Sequence, residues 1–211
     1  IYLLSDGGAT LTLLGYSDSP GFLDALAEND MTSSYAVSSI DLYGHESGMS
    51  GSAEGTPRPD FKGELVYSLI DEPDLSGFRF AESDQLDPIV PGGSDTRHFR
   101  LETDASGWWL VPGPSADVFP QGDLTTGLKC GVGADAQCHD WTTAPLSGVG
   151  HADIAVEPEF TYMWRVVEGD GVARYGALRV ALLGTDQFGA GLMIFDWAYQ
   201  LQGGNPQLVL R

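Results

Sequence analysis

The stretch "YGALRVALLGTDQFGAGLMIFDWAYQLQGGNPQL", residues 175 to 208, constrains this chain more than any other. Two alternating apolar runs are joined by a glycine-bearing turn, and the stretch closes on Asn205-Pro206. In the second run Met193, Phe195, Trp197, Tyr199 and Leu201 fall on one face by the period-two rule, opposite Leu192, Ile194, Asp196, Ala198 and Gln200. In the first run Leu178, Val180 and Leu182 share a face. A face carrying Phe, Trp and Tyr in series has to be covered, because about 25 cal/mol per Å² of apolar area is forfeited if it stays wet. The hairpin therefore predicts a second packed layer.

Other segments extend the pattern. "FTYMWRVVEG" (160–169) sets Tyr162, Trp164 and Val166 opposite Met163, Arg165 and Val167, and in "KGELVYSLIDEPD" (62–74) Leu65, Tyr67 and Leu69 line one face before Pro73 ends the strand. "ATLTLLGY" (9–16) and "SYAVSSIDLYG" (34–44) read as strands. Between them "SPGFLDALAEND" predicts a short helix, with Ser19 as N-cap, Pro20 at the first helical position and Phe22, Leu23 and Leu26 on one side. Residues 45–60 have almost nothing to bury and read as a surface loop. From 75 to 160 the chain is rich in proline and glycine, with short β-like pieces "TRHFRLE", "GWWLVP", "GDLTTGLK" and "HADIAV". There is no internal repeat and no β-α-β alternation. The expected fold is all-β: an antiparallel two-sheet sandwich of jelly-roll type with one short helix and long loops, a single domain over 1–211.

Charge narrows the partners. Thirty Asp and Glu stand against ten Lys and Arg, a net charge of −20 spread along the chain. Such a surface repels phosphate, so neither nucleic acid nor an anionic membrane is expected to bind these residues. No apolar stretch approaches the roughly 18 residues of a membrane-spanning helix. Ile1 is not a start residue, which suggests a processed or trimmed chain. Cys130 and Cys138 enclose "GVGADAQ", a spacing that a disulfide closes in an oxidising, extracellular compartment; two free thiols, or a partial metal site in "CGVGADAQCH", are the alternatives.

Chemistry is sparse. There is no G-x-S-x-G, no H-E-x-x-H, no P-loop and no G-x-G-x-x-G between strand and helix, so a non-enzyme is expected. The histidines are His45, His98, His139 and His151, and "HAD" puts His151 and Asp153 on one strand face. Trp108 and Trp109 offer a sugar-stacking surface, although neighbouring strand positions turn one indole inward. The cluster "IDEPD" is the candidate metal site: Asp71, Glu72 and Asp74 repel one another unless a cation such as Ca²⁺ sits between them.

In order, "LTLLGYSDSPGFLDALAENDMTSSYAVSSIDLYG", "KGELVYSLIDEPDLSG" and "GALRVALLGTDQFGAGLMIFDWAYQLQGGNPQL" resemble the shell domain of tombusvirus- and sobemovirus-like coat proteins. The resemblance covers about half the chain, at both ends. It implies a structural capsid subunit that self-assembles in many copies into an icosahedral shell, located in the virion. Interface Ca²⁺ would then lie at Asp71, Glu72 and Asp74, and nucleic acid would be met only through a basic arm preceding residue 1. Asp71-Glu72-Pro73 stands where that family has Asp-Tyr-Asp, and residues 85–160 depart from its pattern. The segment "YMWRVVEGDGVARYGALRVALLGTDQFGAGLMIFDWAYQ" is also similar to the C-terminal part of secreted HmuY-type haem-binding proteins. That resemblance implies a secreted haem- or ligand-binding protein, with His98, His139 and His151 as candidate iron ligands. A carbohydrate-binding sandwich is a third expectation, resting on Trp108 and Trp109.

Overall fold

The structure, a computed structural model, describes residues 1–19, 21–22, 24–83, 85–120 and 143–208. The sequence reads as one sandwich, and the chain gathers into two compact units, Ile1–Pro57 and Arg58–Arg211.

The first unit carries a four-stranded antiparallel sheet of β1 (Tyr2–Ser5), β2 (Thr10–Leu13), β3 (Ser33–Ala36) and β4 (Ala53–Gly55), in the order β2-β1-β3-β4. Among its described apolar residues only Ala36 is buried. The helix expected from Ser19 is not formed by the described residues, which make turns at 25–26 and 29–30. The Asp24 carboxylate accepts the Leu26 N–H at 3.1 Å, and Asp30 adopts a left-handed φ of 66°. A short side chain that captures a nearby backbone donor competes with the helical ladder, and Gly21 adds backbone freedom at its start.

The second unit holds two five-stranded sheets. Its strands are β5 (Asp60–Tyr67), β6 (Gly77–Phe78), β7 (Ile89–Val90), β8 (Phe99–Asp104), β9 (Gly107–Pro112), β10 (Ala116–Val118), β11 (Ile154–Ala155), β12 (Thr161–Val167), β13 (Ala173–Thr185) and β14 (Gly191–Gln200). One sheet runs β10-β12-β13-β14-β5 and the other β11-β9-β8-β6-β7, with every strand pair antiparallel. An all-β, antiparallel sandwich is therefore the observed fold class. Between the sheets lie Tyr162, Trp164 and Val166 of β12, Leu178 and Val180 of β13, and Met193, Phe195, Trp197 and Tyr199 of β14. They meet Phe78, Phe99, Leu101 and Leu110 from the second sheet. The ring pairs Phe99–Trp164 (5.2 Å, stacked) and Phe78–Phe195 (5.1 Å, edge-on) lock the layers, each worth about 0.5–1.5 kcal/mol beyond its area. The face read from alternation in 193–201 is thus the core face.

Two face assignments change. Leu182, grouped with Leu178 and Val180, is 47% exposed, because the β13–β14 register shifts between Val180 and Leu182. The extra residue of this bulge turns Leu182 outward and brings Leu183 against the core. In β5 the core face belongs to Val66 and Ser68, while Leu65 and Tyr67 are half-buried on the other side. Glu64 shares the inner face and accepts the indole N–H of Trp197 at 3.1 Å, so its carboxylate satisfies a buried donor.

The end of the chain covers the outer face of the first sheet. Leu208, Phe119 and Ala144 pack on Met163, Tyr175 and Ala177, and the Ala144 N–H donates to the Pro206 carbonyl at 2.8 Å. The hairpin turn is held by Asp186, whose carboxylate accepts the Phe188 and Ala190 N–H groups, with Gly189 at a φ of 90° that favours glycine.

Candidate functional site

One inward row of the β10-β12-β13-β14-β5 sheet runs Trp164–Gly176–Tyr199 across β12, β13 and β14. Glycine in the middle leaves a slot, and the Phe80 ring fills it. A Cβ on Gly176 would stand 2.5 Å from that ring, so the glycine is required by close approach. Phe80 lies nearly parallel to Tyr199, with centroids 5.2 Å apart and planes at 13°.

Phe80 also fixes a histidine. Its backbone N–H donates to His98 Nδ1 at 3.0 Å, so Nδ1 is the acceptor nitrogen and Nε2 carries the proton toward Glu168 Oε1 at 3.3 Å. The His98 ring is fully buried, and burial pulls its pKa down to about 4 against the opposing pull of Glu168. Neutral imidazole is therefore the resting form at pH 7. Glu168 also accepts Arg79 through Nη2 at 2.9 Å and Nε at 3.3 Å. Burial pushes its carboxyl upward, yet Arg79 and His98 outweigh burial and hold it below the ordinary value. Beside this chain Arg174 pairs with Asp170 at 2.8 Å and donates from Nε to the Leu201 carbonyl at 3.0 Å.

These groups wall a cavity of about 260 Å³, lined by Arg79, Phe80, Glu82, Glu168, Asp170, Arg174, Tyr199 and neighbouring backbone. Two features set its chemistry. First, the Tyr199 hydroxyl is buried, with its pKa pushed upward by that burial, and has no hydrogen-bond partner among the described residues. An unpaired buried hydroxyl costs about 1–3 kcal/mol. Tyr162 provides the contrast: its hydroxyl donates to the Ala155 carbonyl at 3.0 Å and accepts the Glu157 N–H at 2.9 Å. Second, Arg79 and Arg174 spend Nε and Nη2 on the protein, and no hydrogen bond to a described residue engages Nη1 of either. Tyr199, Arg79 and Arg174 thus each keep a donor that no described residue takes, and all three side chains line the cavity, whose carboxylates are Glu82, Glu168 and Asp170.

The residues singled out from sequence are dispersed. Asp71 Oδ2 accepts the Gly191 N–H at 2.8 Å and so pins the start of β14. Glu72 and Asp74 are exposed at the 3-10 turn Pro73–Leu75. Among the described residues no three His, Cys, Asp or Glu side chains gather in a way that would hold a metal ion. His45 pairs with Asp41 at 3.0 Å on the surface. His151 is largely exposed and lies 3.1 Å from the Ala116 carbonyl and 3.3 Å from Asp117. Trp108 packs against the core, whereas the partly exposed Trp109 donates its indole N–H to Asp104 at 3.2 Å. Cys130, Cys138 and His139 lie outside the described residues.

Of the groups at and beside the cavity, the sequence reading offers His98 as a candidate ligand and Tyr199 as part of an apolar face. Arg79, Glu168 and Tyr199 come from separate segments, Arg79 and Glu168 being 89 positions apart. The available signal is Gly176, a glycine at an inward strand position between an indole and a phenol. No protein-family model, no curated protein and no solved structure matches the chain.

Proposed function

We propose that the 58–211 unit is a binding module for a small zwitterion, a molecule bearing both a carboxylate and an ammonium group. The observation that carries this reading is the buried Tyr199 hydroxyl, without a partner among the described residues, on a side chain that lines a cavity together with two arginines. A ligand carboxylate takes the Tyr199 O–H and the uncommitted Nη1 donors of Arg79 and Arg174, charge-assisted bonds that are stronger than neutral ones. The ammonium group faces Glu82 and Asp170. A purely anionic ligand would face three carboxylates of its own charge, and a purely cationic one would face the two arginines. About 260 Å³ is below the range of drug-sized ligand pockets and suits a molecule of free amino-acid size. This is the ligand-carrier expectation in specific form.

The experiment is calorimetric titration of the full chain with free amino acids, together with their carboxamides and their decarboxylated amines as probes. Tyr199→Phe should weaken binding of the intact amino acids by about tenfold, the size of one charge-assisted hydrogen bond, and the carboxamides should bind no better than buffer. Absence of binding by every amino acid, or equal affinity in Tyr199→Phe, overturns the reading.

The shell-subunit expectation draws on a different observation, the exposed apolar residues of the 1–57 unit, among them Leu26 at 90% and Leu42 fully exposed. Self-association into large particles in light scattering supports it, and a monomer under all salt and pH conditions removes it.

A further inference from the structure

The 1–57 unit has an open sheet edge whose side chains and charge are both specific. Among the described residues strand β2 pairs with β1 alone. The Leu14 N–H donates to the Ile1 carbonyl at 3.0 Å, which fixes the antiparallel alternation: Thr12 and Thr10 turn their backbone groups toward β1, and Leu13 and Leu11 turn theirs outward. The side chains of Leu11 and Leu13 share one face with Tyr2 and Leu4 across the ladder, and they are 47% and 44% exposed. Open edges are ordinarily blunted by lysine, proline or a bulge, and "TLTL" contains none of these.

Charge selects the occupant. Residues 1–57 contain eight acids (Asp6, Asp18, Asp24, Glu28, Asp30, Asp41, Glu46 and Glu54) and no lysine or arginine. Asp6 stands beside the edge, accepting the Thr10 hydroxyl at 3.0 Å. A second copy of this chain would bring the same unrelieved negative charge to the edge, whereas a cationic strand brings its complement. We propose that the β2 edge is a docking site for an extended, basic polypeptide segment of another protein, added as a further antiparallel or parallel strand with apolar side chains over Leu11 and Leu13. Backbone pairing supplies register, the two leucines supply apolar cover, and the acids select Lys or Arg at the alternate positions.

The test uses the full chain and fluorescein-labelled synthetic peptides of roughly eight residues, followed by fluorescence anisotropy. The probes are alternating Lys-Val, alternating Glu-Val, a block peptide with all Lys before all Val, and the Lys-Val peptide N-methylated at every second residue. The alternating Lys-Val peptide should bind, and its affinity should fall about tenfold or more as salt is raised toward 1 M, where screening acts within about 3 Å. The Glu-Val, block and N-methylated peptides should bind at least about tenfold more weakly, because each lacks charge complementarity, alternation or ladder donors. The Leu11→Ser, Leu13→Ser double variant, with an unchanged far-ultraviolet circular dichroism spectrum, should lose a similar factor. Equal binding of the block or N-methylated peptide overturns the proposal in favour of diffuse attraction to an acidic surface, and that comparison holds even if the double variant misfolds. Concentration-dependent dimerisation of the full chain that the double variant abolishes overturns it in favour of a second copy as occupant.

Discussion

Strand β2 and strand β14 alternate equally well, Thr-Leu-Thr-Leu in one and Met-x-Phe-x-Trp-x-Tyr in the other, and they end in opposite environments. In the 58–211 unit the apolar rows of β12, β13 and β14 meet a second sheet on one side and the Phe119, Ala144 and Leu208 cluster on the other. In the 1–57 unit the leucines of β2 stay nearly half exposed, and among its described residues only Ala36 is buried. Alternation specifies a face; a covering layer makes that face a source of stability. The difference teaches that the larger unit carries its own core, while the described apolar side chains of the smaller one stay largely in contact with solvent.

Mutations can break this contrast. The largest effect is expected at Trp164, fully buried and stacked on Phe99. Trp164→Ala should cost about 3–5 kcal/mol in equilibrium chemical unfolding, whereas Leu13→Ala should stay within about 0.5 kcal/mol. Comparable losses at the two sites would erase the distinction between the units.

Next is the pH dependence of the core. His98 has a folded pKa of about 4 and an ordinary value of 6.5, so the unfolded chain takes up the proton first as pH falls. The stability contributed by the neutral ring is fully present above pH 6.5 and is lost between pH 6.5 and 4, about 3 kcal/mol in total. Glu168, whose pKa is also depressed, adds a further loss below the ordinary carboxylate value of 4.5. Unfolding midpoints measured across this range should show the slope in the native protein, and His98→Phe should lack the part between pH 6.5 and 4.

Gly176→Ala sharpens the claim that the slot for Phe80 is built by the absence of a side chain. The added methyl meets the ring at 2.5 Å, and displacing Phe80 should cost about 1–3 kcal/mol, read by thermal unfolding. The two tyrosines give the finest test. Tyr162→Phe leaves the Ala155 carbonyl and the Glu157 N–H without their partner and should cost about 1–3 kcal/mol. Tyr199→Phe removes a hydroxyl that has no partner among the described residues and should be neutral to slightly stabilising in the ligand-free protein. Equal destabilisation by both would mean that the Tyr199 hydroxyl is satisfied.

Much of the larger unit is legible in its sequence because strand periodicity is local. Residues 193–199 and 162–166 declare their inner faces directly, and both do line the core. Leu182 is misplaced by that rule because a bulge adds one residue to one strand, and nothing in "VALLG" marks which residue is extra. The helix at 19–30 is misread because Asp24 can satisfy a backbone donor either way, as part of a helical turn or by closing a tight loop of its own. The site is the least legible part. His98 is visible as one of four histidines, yet its partner Glu168 lies 70 residues away and its fixed tautomer depends on the Phe80 N–H, a backbone group with no sequence signature. The acids at 71–74 are adjacent in sequence, and in the structure Asp71 accepts a backbone N–H 120 residues away.

Native-state hydrogen exchange of the full chain tests the contrast between the units most directly, since it reads the opening free energy of each strand separately. Amides of β12, β13 and β14 should exchange only through global unfolding, and those of β1 to β4 on the order of a hundredfold faster or more, a gap of about 3 kcal/mol. Protection of β1 to β4 equal to that of β14 in the isolated protein would contradict the assignment of a self-sufficient core to residues 58–211 and an uncovered sheet to residues 1–57.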